Sequence, residues 1–258
     1  MTDTPLAGLS IVVTRPREQA AQLQQRIEQL GGNTVLFPLL DISPPADTQA
    51  LRNLTARLPE FDLAIFISPN AVRYGMAEIA AAGGLPDGLR VATVGQGSAK
   101  ALRSAGVQDV IAPQGRFDSE ALLALPHLQD VRGWKIAIFR GDGGRELLGD
   151  TLKARGAEVE YVACYQRSKT PQHIGALLNC RADAITLSSS EALNHLWEML
   201  DEVGRKQMAD VALFVPHARI AAAALQQGWK KVMQTTSGDD GVVSGLVAWS
   251  KAKSSIGT

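Results

Sequence analysis

Short runs of apolar and β-branched residues recur along the chain, and each ends in a polar or glycine-rich turn. Ile11-Val12-Val13, Leu63-Ala64-Ile65-Phe66, Ile136-Ala137-Ile138-Phe139 and Ala184-Ile185-Thr186-Leu187 are continuous rather than alternating. That is the pattern of parallel strands covered on both faces. Helical spacing follows each turn. Ala20, Leu23, Ile27 and Leu30 fall on one helix face, and Gly31-Gly32 predicts a left-handed stop. Ser68-Pro69 predicts a cap followed by a first-turn proline, and Ser188-x-x-Glu191 predicts a capping box. Strands alternating with helices imply right-handed βαβ units, hence an α/β fold of two doubly wound domains. The small polar tail from Ser254 to Thr258 is expected to fray.

The pattern repeats. Ile11 to Arg15 resembles Ile136 to Arg140, with Arg15 and Arg140 125 positions apart, as are Gly31 and Gly156. Asp62 to Ser68 resembles Asp183 to Ser189 at a spacing of 121. A third block, Val91 to Gly97, resembles Val211 to Ala218, and Val94 to Val215 is again 121. The order one, two, three, then one, two, three is that of a tandem duplication. Two β-prone runs, Val35 to Ile42 and Val159 to Tyr165, fit either as inner strands or as a paired linker between domains.

Composition narrows the classes. The 258 residues are 45% hydrophobic and 20% charged, which excludes disorder over most of the length. Lys+Arg and Asp+Glu both number 26, so there is no basic excess for a nucleic-acid duplex. Two cysteines without a C-x-x-C pair make no disulfide scaffold. No apolar run approaches the ~18 residues of a membrane span, and Met1 to Pro5 lacks the marks of a signal peptide. A cytoplasmic protein is expected.

Candidate chemistry lies in the loops after the strands, where open α/β sheets bind ligands and helix starts offer amides to anions. Those loops hold Thr14, Arg15 and Arg17; Ser68 and Asn70; Gly95 and Gly97; Arg140 and Arg145; Ser188, Ser189 and Ser190; His217 and Ala218. Their Gly, Ser and Arg content suits a polyanionic ligand, although capping alone supplies Ser and Gly at such places. Dinucleotide, phosphate-loop and nucleophile-elbow motifs all fail. The four histidines are scattered, and Glu191 with His195 makes no metal set. Cys164 reads as a small buried hydrophobe, and Trp134, Trp197, Trp229 and Trp249 as core or interface aromatics within strands or helices.

Several segments together resemble the uroporphyrinogen-III synthase family. They are Leu9 to Pro16, Ser68-Pro69-Asn70-Ala71, Ser188 to Glu191 and, most specifically, Arg140 to Leu147 through Leu152 to Val159 and on to Cys164-Tyr165-Gln166-Arg167, in the bacterial form. The resemblance implies two flavodoxin-like domains joined by a two-stranded β linker near 35–42 and 159–169, with the active site in the cleft. One domain would comprise 1–38 with 170–258, the other 42–165, so that block one of each repeat is exchanged. The implied reaction is cyclisation of hydroxymethylbilane, a linear tetrapyrrole with eight carboxylates, with inversion of its last ring and loss of water. No metal or cofactor is implied. The resemblance also implies a monomer that receives its substrate from the preceding pathway enzyme. Tyr165 matches the family's tyrosine at the end of the second linker strand and becomes the candidate acid, with strand-end packing as its plain alternative. Where the family commonly has a Gly-x-Thr-Thr-like turn, this chain has Val215-Pro216-His217-Ala218. A non-catalytic two-domain protein binding a small polyanion in its cleft would share these loops, and turnover separates the two.

Overall fold

The computed structural model describes residues 4–143, 146–236 and 238–256, the last three by backbone alone. Its strands are β1 (Ser10–Val13), β2 (Asn33–Leu36), β3 (Leu40–Ser43), β4 (Leu63–Phe66), β5 (Arg90–Thr93), β6 (Val110–Ile111), β7 (Lys135–Gly141), β8 (Glu158–Lys169), β9 (Ala184–Thr186), β10 (Ala212–Val215) and β11 (Val232–Gln234). Residues up to Asp41 together with those from Ser168 form one compact unit, and Ile42–Arg167 the other.

The first unit has a sheet in the order β11-β10-β9-β1-β2, all parallel. Read by sequence within the unit, that is the 2-1-3-4-5 order of a flavodoxin-like sheet. The second unit repeats it as β6-β5-β4-β7-β8, with β3 added beside β8. The duplication extends to register. Ile11 pairs with Ala184 in one unit and Leu63 with Ile136 in the other, so the spacings of 125 and 121 carry one pair onto its counterpart. Hydrogen bonds follow the same rule. The Asp183 carboxylate accepts from the Ser10 amide at 3.0 Å, and Asp62 accepts from the Lys135 amide at 2.8 Å. Burial alone would raise the Asp183 pKa, but bonds from Lys253 and the Ser10 amide outweigh it and hold the carboxyl below its ordinary value.

The third block differs from its sequence reading. Arg90 pairs with Leu63 and Ala212 with Ala184, a spacing of 122 rather than 121. Thr93 therefore corresponds to Val215, and Val94 to Pro216. The helices that follow begin at Gln96 and Ala218, with the same spacing of 122.

Alternation within each continuous strand builds two cores per unit, because successive side chains point to opposite faces. Val12, Ile185 and Leu213 enter one core of the first unit, while Ile11, Val13, Ala184 and Phe214 enter the other. Phe66, Ala137 and Phe139 lie on one side of the second sheet, and Leu63, Ile65, Ile136 and Ile138 on the other.

The run 35–42 is not one linker strand: β2 ends at Leu36, and β3 begins at Leu40 beyond Pro38, which has no amide for a ladder. Its counterpart, β8, is continuous over twelve residues. The tail does not fray at Ser254, since the helix Gly238–Ile256 runs through it; residues 257–258 lie outside the described residues. Trp134 and Trp229 precede β7 and β11 rather than lying within an element, and Trp229 is fully buried. No described helix is long and apolar enough to cross a membrane.

Candidate active site

In the second unit the site begins where β4 ends. Ser68 has extended backbone and caps the helix Pro69–Ala81, its hydroxyl oxygen accepting the Ala71 amide at 3.0 Å. Pro69 sits at the first helical position, where a missing amide costs nothing. Asn70 follows in the first turn. Beyond β5, Gly95 caps the helix Gln96–Ser104 with no side-chain bond. That leaves the amides at Gln96, Gly97 and Ser98 outside the helix's own ladder.

Tyr165 joins this group through a register shift. A β-bulge between Arg140 and Gly141 brings Gly141 opposite Tyr165 on β8. The approach is close: a Cβ on Gly141 would lie 2.8 Å from the tyrosine ring. Tyr165 is 1% exposed, and its hydroxyl lies 3.1 Å from Ser68 Oγ. Arg167 Nη2 donates to the same hydroxyl at 3.1 Å, with its guanidinium 5.4 Å from the ring centre. The sequence reading gives Arg167 no role. The signal is available there, because residues two apart on a strand share a face. The neighbouring thiol is buried. Burial pushes the Cys164 pKa up to about 12, and its Sγ donates to the Arg140 carbonyl at 3.2 Å.

In the first unit the helix Ser190–Met199 is capped by Ser189, whose hydroxyl accepts the Ala192 amide at 3.1 Å. The expected capping box at Ser188 does not form: the cap is one residue later, which puts Ala192 rather than Glu191 at the third helical position, and Ser188 stays exposed. His217 caps the helix Ala218–Gln227 without a side-chain bond, so the amides at its first turn, starting with Ala218, lie outside that helix's ladder as well.

Three sequence candidates are already engaged within the protein. Thr14 is buried, and its hydroxyl donates to the Thr186 carbonyl at 2.7 Å, which makes the side chain a strut between β1 and β9. Arg15 pairs with Asp239. Arg140 pairs with Glu146 at 2.9 Å and lies 4.2 Å over the Tyr161 ring. Arg17 is exposed, and Arg145 lies outside the described residues. Among the described residues, no three His, Cys, Asp or Glu side chains are grouped to hold a metal ion.

What remains offered to a ligand is mostly backbone amide at helix starts. Ser189→Ala is therefore expected to cost about 0.5–2 kcal/mol of stability through the lost cap. It should leave ligand affinity within roughly tenfold, because one hydrogen bond is worth about 1 kcal/mol net. Calorimetric titration with the cyclised tetrapyrrole that the family resemblance implies checks this, and a drop of several orders of magnitude would place the anion on the side chain instead.

Comparison with known proteins gives the family. A family model described as "Uroporphyrinogen-III synthase HemD" matches residues 21–244. The uroporphyrinogen-III synthase of Escherichia coli K12 is 35% identical over 242 residues, covering 90% of this chain and 97% of the relative. That of Synechococcus elongatus is 29% identical, covering 78% of each. A mutant uroporphyrinogen III synthase from Thermus thermophilus superposes with a TM-score of 0.64 at 22% identity, covering 96% of this chain and all of that one. The Helicobacter pylori enzyme gives 0.58 at 12% identity, covering 95% and 99%. These two share the fold, and the family match and the curated sequences carry the assignment. The chain belongs to the uroporphyrinogen-III synthase family.

Proposed function

We propose that this chain closes hydroxymethylbilane to uroporphyrinogen III, a cyclising lyase step of porphyrin biosynthesis that inverts the last ring and releases water. The family match over residues 21–244 and the 35% identical relative support the activity. The observation that carries its chemistry is the hydroxyl pair of Tyr165 and Ser68 at the mouth of a helix start. Loss of a hydroxyl as water requires a proton at the departing oxygen, and Tyr165 is the source we assign. Within the second unit, amides at the starts of the helices at Pro69 and Gln96 suit carboxylates of the substrate, because the helix dipole favours negative charge there; within the first unit, the helix starts at Ser190 and Ala218 offer amides of the same kind. A substrate that closes unaided to the wrong isomer has to reach the site before it does so. That favours taking it directly from the enzyme that makes it, and we assign the step to a monomer in the cytoplasm.

The deciding experiment is incubation of the chelator-treated protein with freshly made hydroxymethylbilane, followed by oxidation and isomer analysis. Isomer III is expected to dominate over the spontaneous isomer I. Isomer I alone, with the protein folded, would leave the non-catalytic polyanion binder as the reading.

A further inference from the structure

We propose that the proton reaching the departing hydroxyl leaves from Ser68, that Tyr165 replaces it from behind, and that Arg167 holds the charge this leaves on Tyr165. The inference rests on the reading of Tyr165 as the proton source and deepens it.

Donor and acceptor inventory supports this direction. A guanidinium has hydrogens to give and no lone pair to offer. The Tyr165 oxygen is therefore the acceptor in its 3.1 Å bond with Arg167. Either hydroxyl can donate across the 3.1 Å between the Tyr165 oxygen and Ser68 Oγ, and the relay takes the Tyr165 hydrogen toward Ser68. Ser68 Oγ also accepts the Ala71 amide at 3.0 Å. With both lone pairs of Ser68 occupied, the hydrogen of its hydroxyl is the one the network directs outward. Exposure agrees, because Tyr165 is 1% exposed while Ser68 is partly open to solvent. A ligand arriving at this helix start meets Ser68 first. Nor does the ring have room to swing, since Gly141 is packed against it and Tyr74 lies 6.3 Å from it, centre to centre.

The step balances. The bond from the hydroxymethyl carbon to its oxygen breaks, and the electron pair leaves with the oxygen. That oxygen takes the Ser68 hydrogen and departs as water. Ser68 takes the Tyr165 hydrogen, and the phenolate formed is paired with the Arg167 guanidinium. After ring closure the tetrapyrrole gives up a proton, which returns through Ser68 to Tyr165. The substrate has lost one water and the protein is unchanged. Ser68 is then the catalytic residue that touches the reacting oxygen, and Arg167 is a positioning residue.

The test compares full-length variants on fresh hydroxymethylbilane, with melting curves as a control for folding. Ser68→Ala is expected to lower kcat by roughly 10²-fold, the scale of general acid catalysis, with KM little changed. The Ser68→Ala/Tyr165→Phe double variant should be no slower than either single one, as expected of residues acting as a unit. Ser68→Thr, which keeps both hydroxyl and cap, should recover most of the rate; loss of the cap alone would lower the melting temperature without this recovery pattern. Arg167→Gln should lower kcat at constant KM, and Arg167→Lys should restore part of it. Wild-type turnover in mixtures of H2O and D2O should show two protons in flight, reduced to one in Tyr165→Phe. Full turnover by Ser68→Ala beside a slow Tyr165→Phe would put Tyr165 in direct contact with the substrate and overturn the relay. Full turnover by both would instead overturn the reading of Tyr165 as the source.

Discussion

Tyr165→Phe is expected to lower kcat roughly 10²-fold or more while leaving the melting temperature close to that of the parent. The ring carries the packing, and phenylalanine keeps it against Gly141 and within the same apolar cluster. Only the hydroxyl goes, and with it the bonds to Ser68 and Arg167. Arg167 is exposed, so water takes over its free hydrogen, and the net cost in stability is about 1 kcal/mol. Single-turnover kinetics on fresh hydroxymethylbilane, beside thermal unfolding, separate the two effects. A variant that turns over at the parental rate would reduce Tyr165 to a packing residue.

The largest loss of stability is expected elsewhere in the same unit. Phe139 is fully buried on β7 and stacks on Phe66 of β4, ring centres 4.6 Å apart and planes at 12°. Gly75, in the helix Pro69–Ala81, is cut to fit the pair: a Cβ there would lie 2.9 Å from Phe139 and 3.0 Å from Phe66. Phe139→Ala empties that space between a helix and two sheet strands, none of which collapses easily. It should cost about 3–5 kcal/mol, the usual range for a buried phenylalanine. Urea denaturation followed by tryptophan fluorescence measures it, and a cost below about 1 kcal/mol would show that the helix settles into the gap.

Much of this was legible in the sequence because parallel strands buried on both faces write themselves as unbroken apolar runs. The spacings of 125 and 121 even contained the register, through Asp62 and Asp183. The third block misled because Val94 and Val215 are alike in sequence while only Val215 lies in a strand; Thr93, not Val94, is its partner. Three consecutive serines at 188–190 are chemically equal, so nothing local says which turns its hydroxyl back to the helix. Arg15 and Arg140 looked like ligand partners because their acids were invisible. Asp239 is 224 positions from Arg15, a distance only the fold closes. The hydroxyl pair itself was half legible. Ser68 stands out as a helix cap and Tyr165 as a strand-end tyrosine, but their contact depends on a bulge at Arg140/Gly141 that no periodicity announces.

The exchange of strands between the two units also sets a timetable for synthesis. β1 sits between β2 and β9, and the Ser10 amide waits for a carboxylate 173 positions downstream. At about 5–20 residues per second the ribosome takes roughly 9–35 seconds to supply it. The second unit is one uninterrupted stretch, and its whole sheet has been synthesised before β9 exists. During that interval the first forty residues are an orphan β-α-β fragment. One flank of its central strand is open, with Ile11 and Val13 as yet uncovered by Ala184, Ala212 and Phe214. The segment of the nascent chain most in need of a chaperone is thus the one made first.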